Sequence, residues 1–554
     1  MLRRLSWTER WASRLVFFLS SVIAVSLAVS TYHIDFFPTD SCFFYLPAAR
    51  KFLQNFIVAD MYYVRDGYLL FIHGKEALVM GIALLQKLLG DSTSLFPNIL
   101  LLIISIFIST NILFSVFRRY FGEIPALAGT FILMMSYWPY QYILMGAHPP
   151  FVLMNFLCAV FFIQRMEKPW FSCLAGFFLG LMLFSSPTAA LCVPYVLGFW
   201  AHHLYALKPK RSIFLSILWI LAGMGTVMAY ITLPDPVHYT RMFMGYLKSA
   251  RSGSDFSYTD FSGFLQLPAD FRGAGWPWIW RYFALSQPIL LFIYIMACTV
   301  VWTHQRNKGI ALGLIVLSFS APIAVEIVRA AQFGRNYFPF IFGEAFMVAL
   351  AGHFVYREKE RLSRRKVNAL RLGVAAMAAA YIVFNGWIFF ADVWPSRMAS
   401  NKVYQWLHRR GIHEVYLYEA FPRSRYAVMF INNPKYREPI FLKPIKTIRD
   451  AKEGYILIPP LTGKHIWMDC CDRDFSRDPY LNELRNEGII KTYILASFPS
   501  LASSRIWPQE AEICTYRDLV RKDITAEDRS WGRIFILDAG KLQREFFASR
   551  QHFP

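Results

Sequence analysis

The sequence predicts a polytopic α-helical membrane protein of about eleven spans, followed by a small extracytoplasmic α/β domain. Three observations lead there. The 554 residues are 56% hydrophobic and 17% charged, and the mean hydropathy of +0.34 is too high for a soluble protein of this size. Between Arg118 and Arg371, apolar runs of roughly 20 residues alternate with short basic knots. Beyond residue 392 this pattern gives way to short strand-like runs separated by helical stretches.

The knots are Arg118/Arg119, Arg165/Lys168, Lys208/Lys210/Arg211, Arg306/Lys308 and the Arg357–Arg371 cluster. If all lie on the cytoplasmic side, each gap between knots holds one span out and one back. The net charge of +21, from 58 Lys+Arg against 37 Asp+Glu, then reflects loop bias. No nucleic-acid partner is needed to explain it, whereas membrane lipids, including anionic headgroups, are expected contacts. The amino terminus is placed inside and residues 392–554 outside.

Residues 1–391 form the expected transmembrane domain. Arg3, Arg4, Arg10 and Arg14 precede the apolar run Leu15–Val29, which reads as an uncleaved signal anchor spanning 12–31; Ala28-Val29-Ser30 offers the alternative of cleavage. Residues 32–94 form a first outer loop with an amphipathic stretch, Phe43–Phe52, and a short apolar one, Ala77–Leu89. The latter is too short to span and suits an interfacial helix. Spans follow at about 95–117, 124–143, 149–164, 169–187, 189–206, 212–232, 284–303, 309–328, 337–356 and 369–391. Their outer apices are Gly146–Pro150, Ser185–Thr188, the loop 233–283 and Arg329–Arg335. The long loop carries Arg241, Lys248, Arg251, Asp255, Asp260, Asp270 and three tryptophans, Trp276, Trp278 and Trp280. It suits a lid, and its tryptophans an interfacial belt or, as the alternative, a sugar-stacking surface.

Residues 392–554 form the expected soluble α/β domain. Strands are placed at Val415–Tyr418, Ala427–Ile431, Tyr455–Ile458, Thr492–Ala496 and Ile534–Leu537, with helices at Lys402–Arg410 and Tyr480–Asn486. No glycine-rich phosphate loop follows a strand, so no nucleotide is assigned. Cys158, Cys173, Cys192 and Cys298 lie in apolar runs as core hydrophobes. Outside the membrane, a disulfide from Cys514 to Cys470 or Cys471 is open to formation.

The outer face collects the residues able to do chemistry. Asp40, just after the first span, could act as a general base at the mouth of a membrane cavity, or cap the helix that starts near Cys42. The stretch Asp40-Ser41-Cys42-Phe43-Phe44-Tyr45-Leu46-Pro47-Ala48-Ala49-Arg50 resembles the first outer loop of GT-C fold, polyprenyl-phosphate-sugar-dependent glycosyltransferases, such as protein mannosyltransferases and aminoarabinose transferases. Three further segments resemble that family's elements, in the same order. They are His73-Gly74-Lys75 with the short helix ending at Gly90, then Arg118-Arg119-Tyr120-Phe121-Gly122, then Gly334-Arg335-Asn336-Tyr337-Phe338-Pro339. Together they run over residues 1–356. Departures are Ser41 where a Glu is usual, Glu76 where Pro is common, and Asn336 as an insertion.

The resemblance implies transfer of a sugar from a polyprenyl-phosphate donor to a glycan, lipid or protein acceptor on the outer face, in a bacterial inner membrane. It makes Asp40 the catalytic carboxylate, and Ser41 favours a reaction without a metal cofactor, with a divalent metal left open. Lys75 and Arg335, with Arg329 in reserve, are the cations placed to hold the donor phosphate. Asp35, Tyr45, His148 and Tyr337 are the expected cavity residues. Glu326 and Glu344 fall inside apolar runs, where a carboxylate faces a cavity or a partner; Glu326 is three residues from Arg329, a pairing distance on a helix. Two rivals remain at this stage: a transporter or lipid flippase, and a non-catalytic scaffold on a degenerate transferase fold.

Overall fold

The computed structural model describes residues 7–32, 45–64, 74–92, 94–166, 168–206, 210–237, 239–240, 287–327, 338–358, 363–418, 440–458, 479–486, 489–499 and 533–548. The chain divides into two compact units. Residues 1–31, 40–92 and 97–387 form the first, and residues 388–554, with the short segments 32–39 and 93–96, form the second.

The first unit is helical. In chain order it holds α1 (Trp7–Thr31), α2 (Leu46–Asn55), a 3₁₀ turn (Val58–Val64), α3 (Glu76–Leu89), α4 (Phe96–Phe121), α5 (Glu123–Met135), α6 (Tyr137–Met145), α7 (Pro149–Ile163) and α8 (Pro169–Leu183). There follow a 3₁₀ segment (Pro187–Cys192), α9 (Val193–Ala206), α10 (Lys210–Thr232), α11 (Pro288–His304), α12 (Lys308–Ser318), α13 (Ser320–Ile327), α14 (Phe340–Glu358) and α15 (Arg364–Ile388). An isolated backbone carbonyl or amide is costly in hydrocarbon, so apolar runs of this length close their hydrogen bonds internally as helices.

Among the described residues, five helices are long and apolar enough to cross a membrane. They are those beginning at Trp11, Phe96, Phe214, Phe340 and Arg364, and a bent pair would make six. Four shorter apolar helices, including α8 and α11, add to them. The chain is therefore an integral membrane protein. The expected single span 124–143 is broken: α5 and α6 meet at Ser136, whose hydroxyl accepts from the Trp138 amide at 3.3 Å and caps a new helix. The 123–145 pair is bent by 118° from α7. The expected span 309–328 is likewise two helices, interrupted at Phe319.

The helix ends sort as the basic knots require. At one end of the bundle, Gln164 Nε2 donates to Val116 O (3.4 Å), the His353 ring lies 2.9 Å from Phe121 O, and the Tyr120 ring meets His202. His304 pairs with Glu358 at 3.1 Å. At the other end, Asn98 Nδ2 donates to Gly146 O (3.1 Å), the Ala77 amide to Phe184 O (2.9 Å), and Asn155 Nδ2 to Ser185 Oγ (3.4 Å). The apices at 146–150 and 185–188 thus share an end with the start of α3, away from Arg118, Arg119 and Arg165.

Close helix contacts are built on glycine. A Cβ at Gly176 in α8 would lie 1.9 Å from Ile220 O in α10, and one at Gly223 in α10 would lie 2.0 Å from Cys173 O. Small residues let helix backbones approach where the lipid is as apolar as the side chains. Cys158 and Cys192 are buried, and Cys173 and Cys298 partly so, all as free thiols.

The second unit carries a five-stranded sheet. Its strands are β1 (Glu414–Tyr418), β2 (Phe441–Ile445), β3 (Tyr455–Ile458), β4 (Ile494–Phe498) and β5 (Ile534–Asp538), in the order β2-β1-β3-β5-β4. β1 pairs parallel with β2 and β3, while β5 runs antiparallel to β3 and β4. Alternation in β5 sends Phe535 and Leu537 into one apolar cluster and Ile534 and Ile536 into the other. The first cluster is completed by Leu481 and Leu484 of α16 (Pro479–Asn486), the second by Val403 and Leu407 of a helix at Ala399–His408. β2 was not foreseen. Pro444 is tolerated there because the strand lies at the sheet edge. The expected strand Ala427–Ile431 and the cysteines Cys42, Cys470, Cys471 and Cys514 lie outside the described residues.

Candidate active site

The described part of the site is built around the start of α3. Gly74 turns the chain with φ +76°, a conformation glycine reaches without strain. Lys75 then occupies the position before the helix without a side-chain capping bond, and Glu76 opens its first turn. Both are buried, Lys75 at 9% exposure and Glu76 at 0%. The Lys75 ammonium sits 5.3 Å from the centroid of the Tyr45 ring, a cation–π distance. Tyr45 is itself fully buried, one residue before α2, and α2 packs on α3. That packing follows from α2's sequence: Leu46, Ala48, Ala49 and Phe52 are buried while Arg50 and Lys51 face out.

The rest of the bundle fixes α3 in place. The Ala77 amide donates to Phe184 O at the end of α8. A Cβ on Gly81 would meet Leu101 of α4 and Phe151 of α7. His148, 3% exposed, precedes Pro149 at the start of α7, three residues from Phe151. Sequence reasoning placed Lys75, Tyr45 and His148 on one face; the structure brings Lys75 and Tyr45 into contact and sets His148 at the same end of the bundle. Asp40, Asp35, Arg329, Arg335 and Tyr337 lie outside the described residues.

Two residues were not singled out for the site. Glu76 entered only as a departure from a Pro, yet it is a buried carboxylate next to the buried cation. Tyr239, from the loop after α10, has its phenol pushed up, first by burial and then by the Glu76 charge. The long loop therefore begins within electrostatic reach of α3. A Lys-Glu pair at the start of a short apolar helix was the signal that could have found Glu76. Nothing in the sequence singles out Tyr239 among the tyrosines.

The arrangement offers a desolvated ammonium with an aromatic wall, suited to an anion that arrives with little water. Among the described residues, no group of three or more His, Cys, Asp or Glu could hold a metal ion.

No protein-family model matches the sequence, and no curated protein does. Solved structures with a similar fold include ArnT from Cupriavidus metallidurans bound to undecaprenyl phosphate. It is 12% identical, with 79% of this chain and 93% of that chain covered and a TM-score of 0.42. Another is the archaeal oligosaccharyltransferase AglB from Archaeoglobus fulgidus, in complex with an inhibitory peptide and a dolichol-phosphate. It is 12% identical, with 83% and 70% covered and a TM-score of 0.44. At this identity and these TM-scores, no residue and no role is carried across.

Proposed function

We propose that the chain is an integral-membrane glycosyltransferase that takes a sugar from a polyprenyl phosphate and passes it to an acceptor hydroxyl on the outer face. The observation that carries this reading is Lys75, held at 9% exposure against Tyr45 at the end of the bundle away from the arginine knots. A lipid phosphate presented at the interface meets its counter-charge there, in surroundings that strengthen the pair.

In this mechanism the acceptor O–H gives its proton to the Asp40 carboxylate. The acceptor oxygen bonds to the anomeric carbon from the face opposite the phosphate, and the bond from that carbon to the phosphate oxygen breaks. The electron pair leaves on the polyprenyl phosphate, configuration inverts, and Lys75 with Arg335 neutralises the departing charge. The test is Asp40→Asn, assayed by release of label from radiolabelled lipid-linked sugars. Transfer is expected to vanish while the variant stays folded and still binds donor; full activity would remove Asp40 from the reaction.

One observation favours a transport reading. Glu344 of α14 is 0% exposed, and among the described residues its carboxyl oxygens have no hydrogen-bond partner. A buried intramembrane carboxylate beside an interrupted helix is a common transporter feature. Movement of intact lipid-linked sugar across a vesicle, with no loss of label from lipid, would select that reading.

A further inference from the structure

The opposite end of the bundle carries a concentration of positive charge that the proposed reaction does not use. Arg118 and Arg119 lie in the last turn of α4, and Arg165 and Lys168 follow α7. The two helix ends are tied by the Gln164–Val116 hydrogen bond, at 3.4 Å. Arg165 lies over the Phe161 ring, 3.5 Å from its centroid, and Nη1 donates to Phe161 O at 2.8 Å. Its charged form is disfavoured by burial first, then by Arg119 and Arg118. Among the described residues, Glu123 lies 3.7 Å from Arg118; Glu167 lies outside the described residues. Lys168 is exposed, and Trp170 is 52% exposed while stacked on Phe171.

Cations at a helix carboxyl end are ordinary, because they complement the dipole. That effect acts on each helix separately and gives no reason for the cations of two helices to be held at one end, as the Gln164–Val116 hydrogen bond holds them. Positive-inside bias acts during insertion and likewise does not require them to converge. Convergence costs mutual repulsion, which an anion lying among them would relieve. An exposed tryptophan beside the charges places the group at headgroup depth.

We propose that Arg118, Arg119, Arg165 and Lys168, with Trp170 at their edge, form a binding site for the phosphate of an anionic phospholipid headgroup. The guanidinium groups grip the phosphate oxygens in their fork geometry, Lys168 adds a point charge, and Trp170 lies along the glycerol region. The site is separate from the α3 end of the bundle, and it does not rest on the glycosyltransferase reading.

The experiment uses the full chain in nanodiscs of phosphatidylcholine, with or without phosphatidylglycerol, and counts retained lipids by native mass spectrometry. The wild-type chain is expected to retain phosphatidylglycerol over phosphatidylcholine. At about fivefold per surface cation, Arg119→Gln with Arg165→Gln should weaken that retention about twenty-five-fold, while the matching Lys variants, which keep the charge and lose the fork, should recover only part of it. Equal retention of the two lipids by wild type, or unchanged preference in the Gln variant, overturns the proposal. So does displacement by free glycerol phosphate, which would make this a site for a soluble phosphate. If loss of the arginines disturbs insertion, a photoreactive benzoylphenylalanine at position 170 in the otherwise native chain decides the matter. It should label phosphatidylglycerol above phosphatidylcholine, and equal labelling refutes the site.

Discussion

Adding one methyl group at Gly176 tests whether α8 and α10 touch backbone to backbone. The new carbon would stand 1.9 Å from Ile220 O, 2.7 Å from Ile220 C and 2.8 Å from Ile220 Cα. Ordinary carbon–oxygen contacts lie at about 3.3 Å or beyond, so the helices must part by about 1.4 Å. All three obstructing atoms are backbone, and no side chain can rotate away. Overpacking of this kind costs about 1–3 kcal/mol, and separation along α8 would also loosen Gly180 from Val227. Gly225 lies on the same helix as Gly223 but has nothing within 4 Å of a built Cβ. Gly225→Ala should therefore be neutral or gain up to about 1 kcal/mol from helix propensity. The assay is apparent thermal unfolding of the purified full chain in detergent, for Gly176→Ala and Gly225→Ala in parallel. Gly176→Ala should melt several degrees below Gly225→Ala. Equal midpoints would show that the two helices do not meet as described.

Other outcomes follow from the site and the sheet. Lys75→Gln should lower transfer about 10²–10³-fold, the usual cost of losing one group that stabilises developing charge, with folding intact; Lys75→Arg should recover part of it. Ile536→Ala in the second unit removes a fully buried side chain from the cluster around Leu457. It should cost about 2–5 kcal/mol, read as faster limited proteolysis of residues 388–554 in the full chain. Tyr239→Phe should leave transfer near wild type, because the phenol is linked to Glu76 by charge, and a clear loss would assign the hydroxyl a part in positioning.

Hydrophobic periodicity and charge made most of the bundle legible. The short stretch Ala77–Leu89 is α3, Glu76–Leu89, and its neighbour begins at Phe96 as the sign of Arg118 and Arg119 required. Tyr455–Ile458 could be read as a strand because four apolar residues lie between turn signals, and its burial on both faces explains the unbroken run. Breaks inside spans were harder, since Ser136 and Phe319 sit in sequence as apolar as their surroundings. Only Ser136, capping two residues before Trp138 and three before Pro139, carried a local cue. β2 was hidden because Lys443 and Pro444 interrupt its alternation, and an edge position is what permits them. For the site, Lys75 and Tyr45 could be placed by motif order, whereas the Glu76–Tyr239 proximity joins residues far apart in sequence that no spacing connects.

The most direct test is an experimental density map of the full chain with a polyprenyl-phosphate sugar bound. The donor phosphate should lie within about 4 Å of the Lys75 ammonium, with the Asp40 carboxylate facing the anomeric carbon across room for an acceptor hydroxyl. A donor headgroup at the Arg118 end, or Asp40 and Lys75 at opposite ends of the bundle, would contradict it.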